Sequence, residues 1–410
     1  MRYKRSTLWM CAISPLLAMG CDRAAEQVTA PRDASGLARH ELSVTAAAVN
    51  VANVDELYAA VNDAANEGAD ILLSPGSYVL SATDGAGAAR PNGGRLEVQL
   101  DMSLYGLTGD RAAVVIDAST LPASAFNAPF GRTGVIRIGR GTNSVEWLTI
   151  VGNPAAAAGI ATELTGTPTT KVRVAHVLAT GSSRGVDIRN VGATMIGRKI
   201  EAEVTNSEFV GPTEIVGMTE GIRVANFVGA NNGVIVANLS GNRAHGYILG
   251  CIIANNRSSN AAIAVTSSGE RYYGNTLGCE VDGGLSQTTG VAMSNLVTYE
   301  AHGTHYSDNT AGIPGIGPGG LKVHAAVATV AANIVSNNTV RVDLWGVKIS
   351  GNEAIDFEGF GAWKESAPGI AGTNNHAIIT LHGVSKKLEV ETHASFPSDP
   401  GGTNTITVIR

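Results

Sequence analysis

Gly185–Asn190, Gly221–Asn226 and Gly233–Asn238 of this chain read GVDIRN, GIRVAN and GVIVAN. Each string begins with glycine, carries apolar residues at alternate positions and ends with asparagine. Alternation with a period of two is typical of a β-strand, and Gly and Asn are typical of the turns that bound it. Self-similarity at roughly 20 to 36 residues indicates a solenoid, in which each coil buries its apolar face on the next.

The composition of the 410-residue chain agrees with many short strands joined by turns. Glycine is frequent, at 50 residues, while aromatic residues make up 5% and charged residues 16%. Few charges argue against a disordered chain, and a net charge of −6 predicts no basic surface for nucleic acid. An antiparallel β-sandwich is the alternative fold, and the scarcity of Asn-Gly and Asp-Gly turns at strand junctions counts against it.

A short helix is predicted where the folded region begins. Asn53 can cap it, and Glu56 is placed three residues later to complete a capping box. The apolar residues between Val54 and Val61 recur at helical spacing. After the helix, Ile71–Leu80 reads ILLSPGSYVL, which predicts a strand, a Pro-Gly turn and a second strand.

The helix, Ile71–Leu80, and the later strings Ser103–Leu107 (SLYGL) and Val114–Ser119 (VVIDAS) together resemble the N-terminal end of the pectate-lyase-like right-handed parallel β-helix superfamily. The resemblance implies an all-β fold, a single right-handed parallel β-helix (solenoid) with a short N-terminal capping helix. We place this domain at residues 49–410, with the cap at 49–82. The Arg-x-Pro-x-x-Arg motif of pectate lyases and the Asn-Thr-Asp, Asp-Asp and Gly-His-Gly motifs of polygalacturonases are absent from the sequence, so no catalytic role is carried over.

Residues 1–20 are predicted to be a lipoprotein-type signal peptide. Basic residues precede the apolar run Leu8–Leu17, which is too short to span a membrane. Leu17–Cys21 reads LAMGC and resembles the bacterial lipoprotein signal, with the leucine one position further from the cysteine than usual. We therefore expect a lipid at Cys21, a flexible tether over residues 21–48, and an exported protein anchored to a membrane that faces the periplasm or the cell surface. A secreted protein is the alternative.

Two further cysteines occur in the same local string, Leu249–Cys251 and Leu277–Cys279. If the strings stack on neighbouring coils, their backbones lie about 4.8 Å apart. That spacing is compatible with a disulfide in an oxidising compartment. The parallel Cα–Cβ bonds of two residues in register are less favourable for forming it. A buried stack of thiols and a disulfide therefore both remain open.

Outward positions of the strands are the places for chemistry on such a scaffold. In the first two repeated strings the apolar residues point inward, so Asp187, Arg189 and Arg223 point outward and share a face, with Arg184 at its edge. We predict that these residues bind substrate. The alternative is an ordinary solvated surface.

A second cluster contains the predicted catalytic residues Arg243, His245, Arg271, Tyr273 and His305. Stacked coils would align them along a groove, where Arg binds carboxylates, Tyr offers a face to sugars and His or Tyr moves protons in β-elimination. Three more residues of the cluster are predicted to bind substrate: Arg257, Tyr272 and Tyr306. The alternative is that these are scattered turn residues.

No metal site is predicted from the sequence. His302, His305 and Asp308 stand three residues apart, but no helix holds them on one face. We expect no cofactor. The lyases that the chain resembles use a base beside Ca²⁺-binding carboxylates, yet no motif here supports a Ca²⁺ site.

These observations predict a monomeric, exported protein that interacts with extracellular or cell-envelope polysaccharide. Whether it is an enzyme stays open, and among enzymes a polysaccharide lyase is favoured over a glycoside hydrolase. A non-catalytic structural or adhesin-like surface lipoprotein is the alternative, since a fold does not fix a function.

Overall fold

The computed structural model describes residues 47–128, 131–162, 169–191, 198–214, 217–227, 229–286, 291–310, 319–328, 334–350, 355–358, 361–362, 372–384, 388–391 and 404–410. Thr45–Arg410 form one compact unit. The predicted signal peptide, Cys21 and nearly all of the tether lie outside the described residues. The same holds for most of the Gly- and Pro-rich stretch at 310–320. No helix in the described part of the chain is long and apolar enough to cross a membrane.

The chain winds through three parallel sheets in turn, which confirms the predicted right-handed parallel β-helix. Among the described residues the first sheet contains 12 strands. In sheet order they are Ala48–Val51, Asp70–Leu73, Ser103–Gly106, Gly141–Glu146, Thr169–Ala175, Lys199–Thr205, Val234–Ser240, Ala262–Ser268, Leu296–His302, Thr339–Trp345, His376–His382 and Thr405–Ile409.

The second sheet is narrower, because its strands are mostly three or four residues long. Its strands in the described ranges are Gly76–Val79, Val114–Asp117, Thr149–Val151, Leu178–Thr180, Glu208–Val210, Arg243–His245, Arg271–Tyr273, His305–Ser307 and Lys348–Ile349.

The third sheet follows a longer connection in each coil. Its main path is Leu96–Val98, Gly134–Ile138, Ala158–Thr162, Arg184–Val191, Glu220–Phe227, Leu249–Asn256, Leu277–Ser286, Leu321–His324, Ile355–Glu358 and Leu388–Glu391. Val327–Ala328 and Gly361–Ala362 pair beside this path. Two small pairs, Val291–Met293 with Ile334–Ser336 and Asn127–Ala128 with Gly131–Arg132, lie outside the three sheets.

The predicted helix covers one end of the solenoid and spans Val54–Asn62. The side chain of Asn53 accepts a hydrogen bond from the backbone N–H of Glu56 at 3.0 Å, and the Glu56 carboxylate accepts one from the N–H of Ala52 at 2.7 Å. The first bond is the N-cap bond of the predicted capping box, whereas the reciprocal bond from Glu56 goes to the residue before the cap and not to the N–H of Asn53. Short 3₁₀ turns occur at Ala64–Asn66, Pro91–Gly94 and Ala123–Phe126.

The interior is a continuous column of Val, Ile, Leu and Ala, with asparagine ladders at the turns. In one ladder, Asn295, Asn338, Asn375 and Asn404 join successive coils through side-chain hydrogen bonds of 2.9 to 3.0 Å. Each amide thereby satisfies the hydrogen-bonding groups of its neighbour, and each bond contributes about 1 kcal/mol to the stability of the fold. Cys251 and Cys279 are paired in register on the third sheet, with 4.5 Å between their Cα atoms, and a disulfide joins them.

Candidate functional site

The outer face of the second sheet carries a row of basic side chains. Strand register places Arg243 beside Arg271, Arg271 beside His305, and His305 beside Lys348. Each of these residues is the first of its strand, so all four side chains leave the sheet on the same side, about 4.8 Å apart from strand to strand. We call Arg243, Arg271, His305 and Lys348 the cationic row.

In the described part of the chain, the cationic row has one acidic neighbour in register, Glu208 beside Arg243. Arg243, Arg271 and Lys348 are exposed, and none of them forms an ion pair there. His305 is half-buried and its Nε2 lies 2.8 Å from the hydroxyl of Ser350. Like charges directly opposite each other in a sheet are destabilising. The row is therefore a surface that an anionic ligand would stabilise.

A second column on this face places His245 beside Tyr273. Their rings stack with centroids 4.8 Å apart. The Nε2 atom of His245 lies 3.4 Å from Oε1 of Glu208, whose Oε2 accepts a hydrogen bond from Arg111 at 2.6 Å. The contacts with His245 and Arg111 outweigh partial burial and lower the pKa of Glu208 to about 2. Burial and the Glu208 charge raise the pKa of Tyr273, so the phenol is protonated at neutral pH.

A cleft of about 420 Å³ opens at the N-terminal end of the row, between the first and second sheets. It is lined by Arg111, Trp147, His176, Glu208 and Arg243 among other residues. Trp147 and His176 are corner residues with φ of 59° and 56°, a conformation that turns their side chains outward, and their rings stack at 3.8 Å. The next coils have the smaller residues Asn206 and Gly241 at the same corner, and both line the cleft beside Arg243.

The structure thus brings all five predicted catalytic residues onto one face: Arg243, His245, Arg271, Tyr273 and His305. Their catalytic roles stay predictions. Sequence reasoning missed the cleft residues Arg111, Trp147, His176 and Glu208. Trp147 and His176 could have been found, because each directly follows an alternating strand at the position where later coils have Asn or Gly.

The first predicted cluster lies on the outer face of the third sheet, but its charges pair with each other. Asp187 accepts two hydrogen bonds from Arg223, at 2.8 and 2.9 Å, and Arg189 lies 3.5 Å from the same carboxylate. Arg184 pairs with Glu220. Burial would raise the pKa of Asp187, but the Arg223 and Arg189 charges outweigh it and lower that pKa.

These pairs change the interpretation of the first cluster. Asp187 is fully buried, and Arg189 and Arg223 are only 4% and 6% exposed. The expectation of an open substrate-binding face formed by these three residues is therefore wrong. Alternation tells which face a side chain leaves, but not what covers that face.

The prediction that two tyrosines of the second cluster bind substrate is also wrong. Tyr272 and Tyr306 are 0% exposed, and their rings stack inside the solenoid with centroids 5.6 Å apart. Strand alternation explains this, because Arg271 and Tyr273 point outward and the residue between them must point inward. Arg257, in contrast, does not lie on the second sheet. It lies at the turn after Leu249–Asn256, with its guanidinium 6.0 Å from the ring of Phe227.

The three residues considered for a metal site are separated. Nε2 of His302 lies 2.7 Å from Glu300 on the first sheet, whereas His305 contacts Ser350 on the second, and Asp308 follows at a turn. A different group meets the requirements for metal ligands. Glu280, Asp282 and His324 on the third sheet place one ligand atom each within 4.8 Å of one another.

Sequence reasoning missed this group, because the contact depends on the register between strands whose contacting residues are 42 positions apart. Extending the Cys251–Cys279 stack by one coil pairs Cys279 with Leu321, and therefore Glu280 with Lys322 and Asp282 with His324.

No family model matches the chain, and no curated protein matches its sequence. The chain is similar to several solved structures, among them the following three. The Agl-KA catalytic domain is 14% identical, with a TM-score of 0.38, over 87% of this chain and 65% of its own length. The A-module of the Azotobacter vinelandii mannuronan C-5 epimerase AlgE6 is 16% identical, with a TM-score of 0.31, over 81% and 95%.

The pectate lyase Pel9A is 13% identical, with a TM-score of 0.37, over 80% of this chain and 82% of that enzyme. The chain thus spans just under two thirds of the Agl-KA domain. These TM-scores are low. The assignment of a parallel β-helix therefore rests on the strand order and register of this chain itself.

Proposed function

We propose that the chain binds an acidic polysaccharide along the outer face of the second sheet. The observation that carries the proposal is the cationic row: Arg243, Arg271, His305 and Lys348 at one register position on successive coils. A polymer of uronic acids carries carboxylates at regular intervals, and guanidinium groups bind carboxylates in a bidentate manner. An aligned polyanion would replace the repulsion between neighbouring cations with attraction.

The aromatic cleft supports a sugar ligand rather than a simple anion. The stacked rings of Trp147 and His176 stand at one end of the cationic row, in the cleft that also contains Arg243. Burial and the Arg173 and Arg111 charges lower the pKa of His176, so its ring is neutral at neutral pH. A neutral aromatic platform offers an apolar face to the C–H groups of a sugar ring.

Binding is tested with purified protein and uronic-acid oligosaccharides by calorimetry, with a neutral oligosaccharide as the ligand control. The double variant Arg243→Ala/Arg271→Ala should weaken binding about tenfold, since two surface charge contacts contribute about 1.4 kcal/mol. Arg341→Ala is the matched control, because Arg341 is an exposed arginine on the first sheet. Equal affinities for the double variant and the wild type, or equal binding of the neutral ligand, would contradict the proposal.

A polysaccharide lyase is the second candidate function, and the His245–Tyr273 pair favours it. In β-elimination the base removes the proton beside the uronate carboxyl, the carbon–oxygen bond to the next sugar breaks, a carbon–carbon double bond forms and the leaving oxygen takes up a proton. Glu208, in contact with His245, would orient it as the base, and the protonated Tyr273 beside it would act as the acid. Arg243 and Arg271 would hold the carboxylate and stabilise its developing charge.

Absorbance near 235 nm reports the unsaturated uronate product. With a panel of uronic-acid polysaccharides, His245→Gln and Tyr273→Phe should each remove the absorbance rise while the oligosaccharide still binds. His302→Gln is the control, since His302 also contacts a carboxylate but on the first sheet. If the wild type binds and no absorbance rise occurs on any polymer, the lyase function is excluded for those polymers, and the alternative of a structural or adhesin-like binding protein is favoured.

We propose further that the chain is exported and lipidated at Cys21, on the basis of its N-terminal sequence. Cells that express the full chain should incorporate labelled palmitate into it, and Cys21→Ser should abolish incorporation. Incorporation that survives this substitution would exclude Cys21 as the lipid site.

A further inference from the structure

The outer face of the third sheet contains a compact group of metal-ligand residues. Glu280 and Asp282 are two residues apart on one strand, so both side chains leave the sheet on the same side. His324 is paired in register with Asp282 on the next strand. Its Nδ1 lies 2.6 Å from Oδ1 of Asp282 and 3.6 Å from Oε1 of Glu280. The three side chains are buried, with Asp282 at 0% and His324 at 2% exposure.

One ligand atom of this group lacks a partner. Oδ2 of Asp282 is buried and accepts no hydrogen bond from the described part of the chain. A buried carboxylate oxygen without a partner costs about 1 to 3 kcal/mol or more. The unpartnered oxygen therefore points to a cation as the missing partner.

The local charge agrees with a cation. Glu280 and Asp282 bring two carboxylates together, and Lys322, paired in register with Glu280, brings one ammonium group. Two buried carboxylates this close repel each other unless a positive charge lies between them. A divalent ion would supply that charge and bind Oδ2 of Asp282 at the same time.

We propose that Glu280, Asp282 and His324 form a binding site for a divalent transition-metal ion such as Zn²⁺ or Mn²⁺. An imidazole nitrogen with two carboxylates suits these ions better than Ca²⁺ or Mg²⁺, which prefer oxygen ligands. Ligands around a tetrahedral Zn²⁺ stand roughly 3.3 Å apart. The Asp282–His324 contact then opens by under about 1 Å.

Three protein ligands leave coordination positions open for water or a small ligand. A cavity of about 130 Å³ lies beside the group on the same face, and Ala225, Ile252 and Ala254 form part of its lining. Ile252 is paired with Glu280 and Ala254 with Asp282. The metal would therefore stand at the side of this cavity, one strand away from its floor. Arg223 lines the cavity as well.

The test uses the purified protein after treatment with a chelator and dialysis. Zn²⁺, Mn²⁺ and Ca²⁺ are titrated separately, with calorimetry for affinity and elemental analysis for stoichiometry. We expect one equivalent of Zn²⁺ or Mn²⁺ and a higher unfolding temperature when it is bound. Asp282→Asn, which conserves shape, should weaken binding at least about tenfold.

Co²⁺ provides a readout that does not depend on activity. Its visible absorption bands should show nitrogen coordination in the wild type and change in His324→Gln. His302→Gln is the matched control, because His302 also lies 2.7 Å from a carboxylate, that of Glu300, but is exposed on the first sheet. Substoichiometric metal in the wild type, unchanged binding in Asp282→Asn and His324→Gln, or a preference for Ca²⁺ would each overturn the proposal. These outcomes leave the polysaccharide proposal untouched, because that site lies on a different sheet.

Discussion

Glu270 stands in the core of the solenoid, and replacing it with glutamine should make the protein more stable above neutral pH. The residue is 0% exposed. Its Oε1 accepts hydrogen bonds from the backbone N–H and side-chain amide of Asn242, at 2.9 and 3.1 Å, and its Oε2 accepts one from the hydroxyl of Tyr272 at 3.3 Å. Burial raises the pKa of Glu270 to about 7 in spite of these donors.

The direction of the pH effect follows from that pKa. The ordinary pKa of a glutamate is 4.5, so between about pH 4.5 and pH 7 the folded protein retains a proton that the unfolded chain has lost. The contribution of Glu270 to stability is therefore present at low pH and is lost as the pH rises toward 7. This rise of about 2.5 in the pKa corresponds to about 3 kcal/mol in the free energy of unfolding. In unfolding temperature, the difference is on the order of 5 °C.

Glu270→Gln preserves the acceptor for Asn242 and places an N–H group toward the Tyr272 oxygen. We expect similar stability of wild type and variant at pH 5, and a variant that is more stable by about 3 kcal/mol at pH 8. Denaturant titrations followed by circular dichroism at both values measure the difference. Glu201→Gln is the control, since the pKa of this partly exposed carboxylate is lowered by contacts with Lys199 and Lys171. Parallel pH profiles for wild type and Glu270→Gln would refute the reasoning.

Three further predictions concern charge and packing. Glu208→Gln removes a negative charge beside the cationic row and should strengthen binding of a uronic-acid oligosaccharide about two- to fivefold in calorimetry; weaker binding would contradict this. Arg223→Leu leaves the Asp187 carboxylate buried without its bidentate partner and should cost about 3 to 5 kcal/mol in urea unfolding, so a loss under about 1 kcal/mol would show that the pair is unimportant. Asn338→Ala interrupts an asparagine ladder and should cost about 2 to 3 kcal/mol, whereas Asn238→Ala on the exposed face of the first sheet should cost little; equal losses would exclude a special role for the ladder.

The fold could be predicted from the sequence because the signals are local and repeated. The capping box at Asn53 and Glu56 depends on residues three apart, and strand alternation depends on residues two apart. The register that pairs Gly185–Asn190 with Gly221–Asn226 follows from aligning two similar strings, and the structure has this register. In the structure, strand alternation turns Arg271 and Tyr273 outward. The same rule, applied consistently, would have placed Tyr272 and Tyr306 in the core.

The sites could be predicted less well, because they depend on what covers a face and on long-range register. Nothing within Gly185–Asn190 shows that Asp187 is fully buried against Arg223, a residue 36 positions later. Asp282 and His324 are 42 residues apart, and coil lengths vary, so their contact required the actual strand register. Arg111 reaches Glu208 from 97 residues away, and no sequence pattern indicates that contact.

The central claim is that the cationic row binds an acidic polysaccharide, and arginine footprinting tests it most directly. The protein is modified with phenylglyoxal with and without a saturating uronic-acid oligosaccharide, and the reactivity of each arginine is read by mass spectrometry. The account predicts that Arg243 and Arg271 become protected while the exposed Arg341 of the first sheet does not. Unchanged reactivity of Arg243 and Arg271 in a sample shown to be saturated, or equal protection of Arg341, would contradict it.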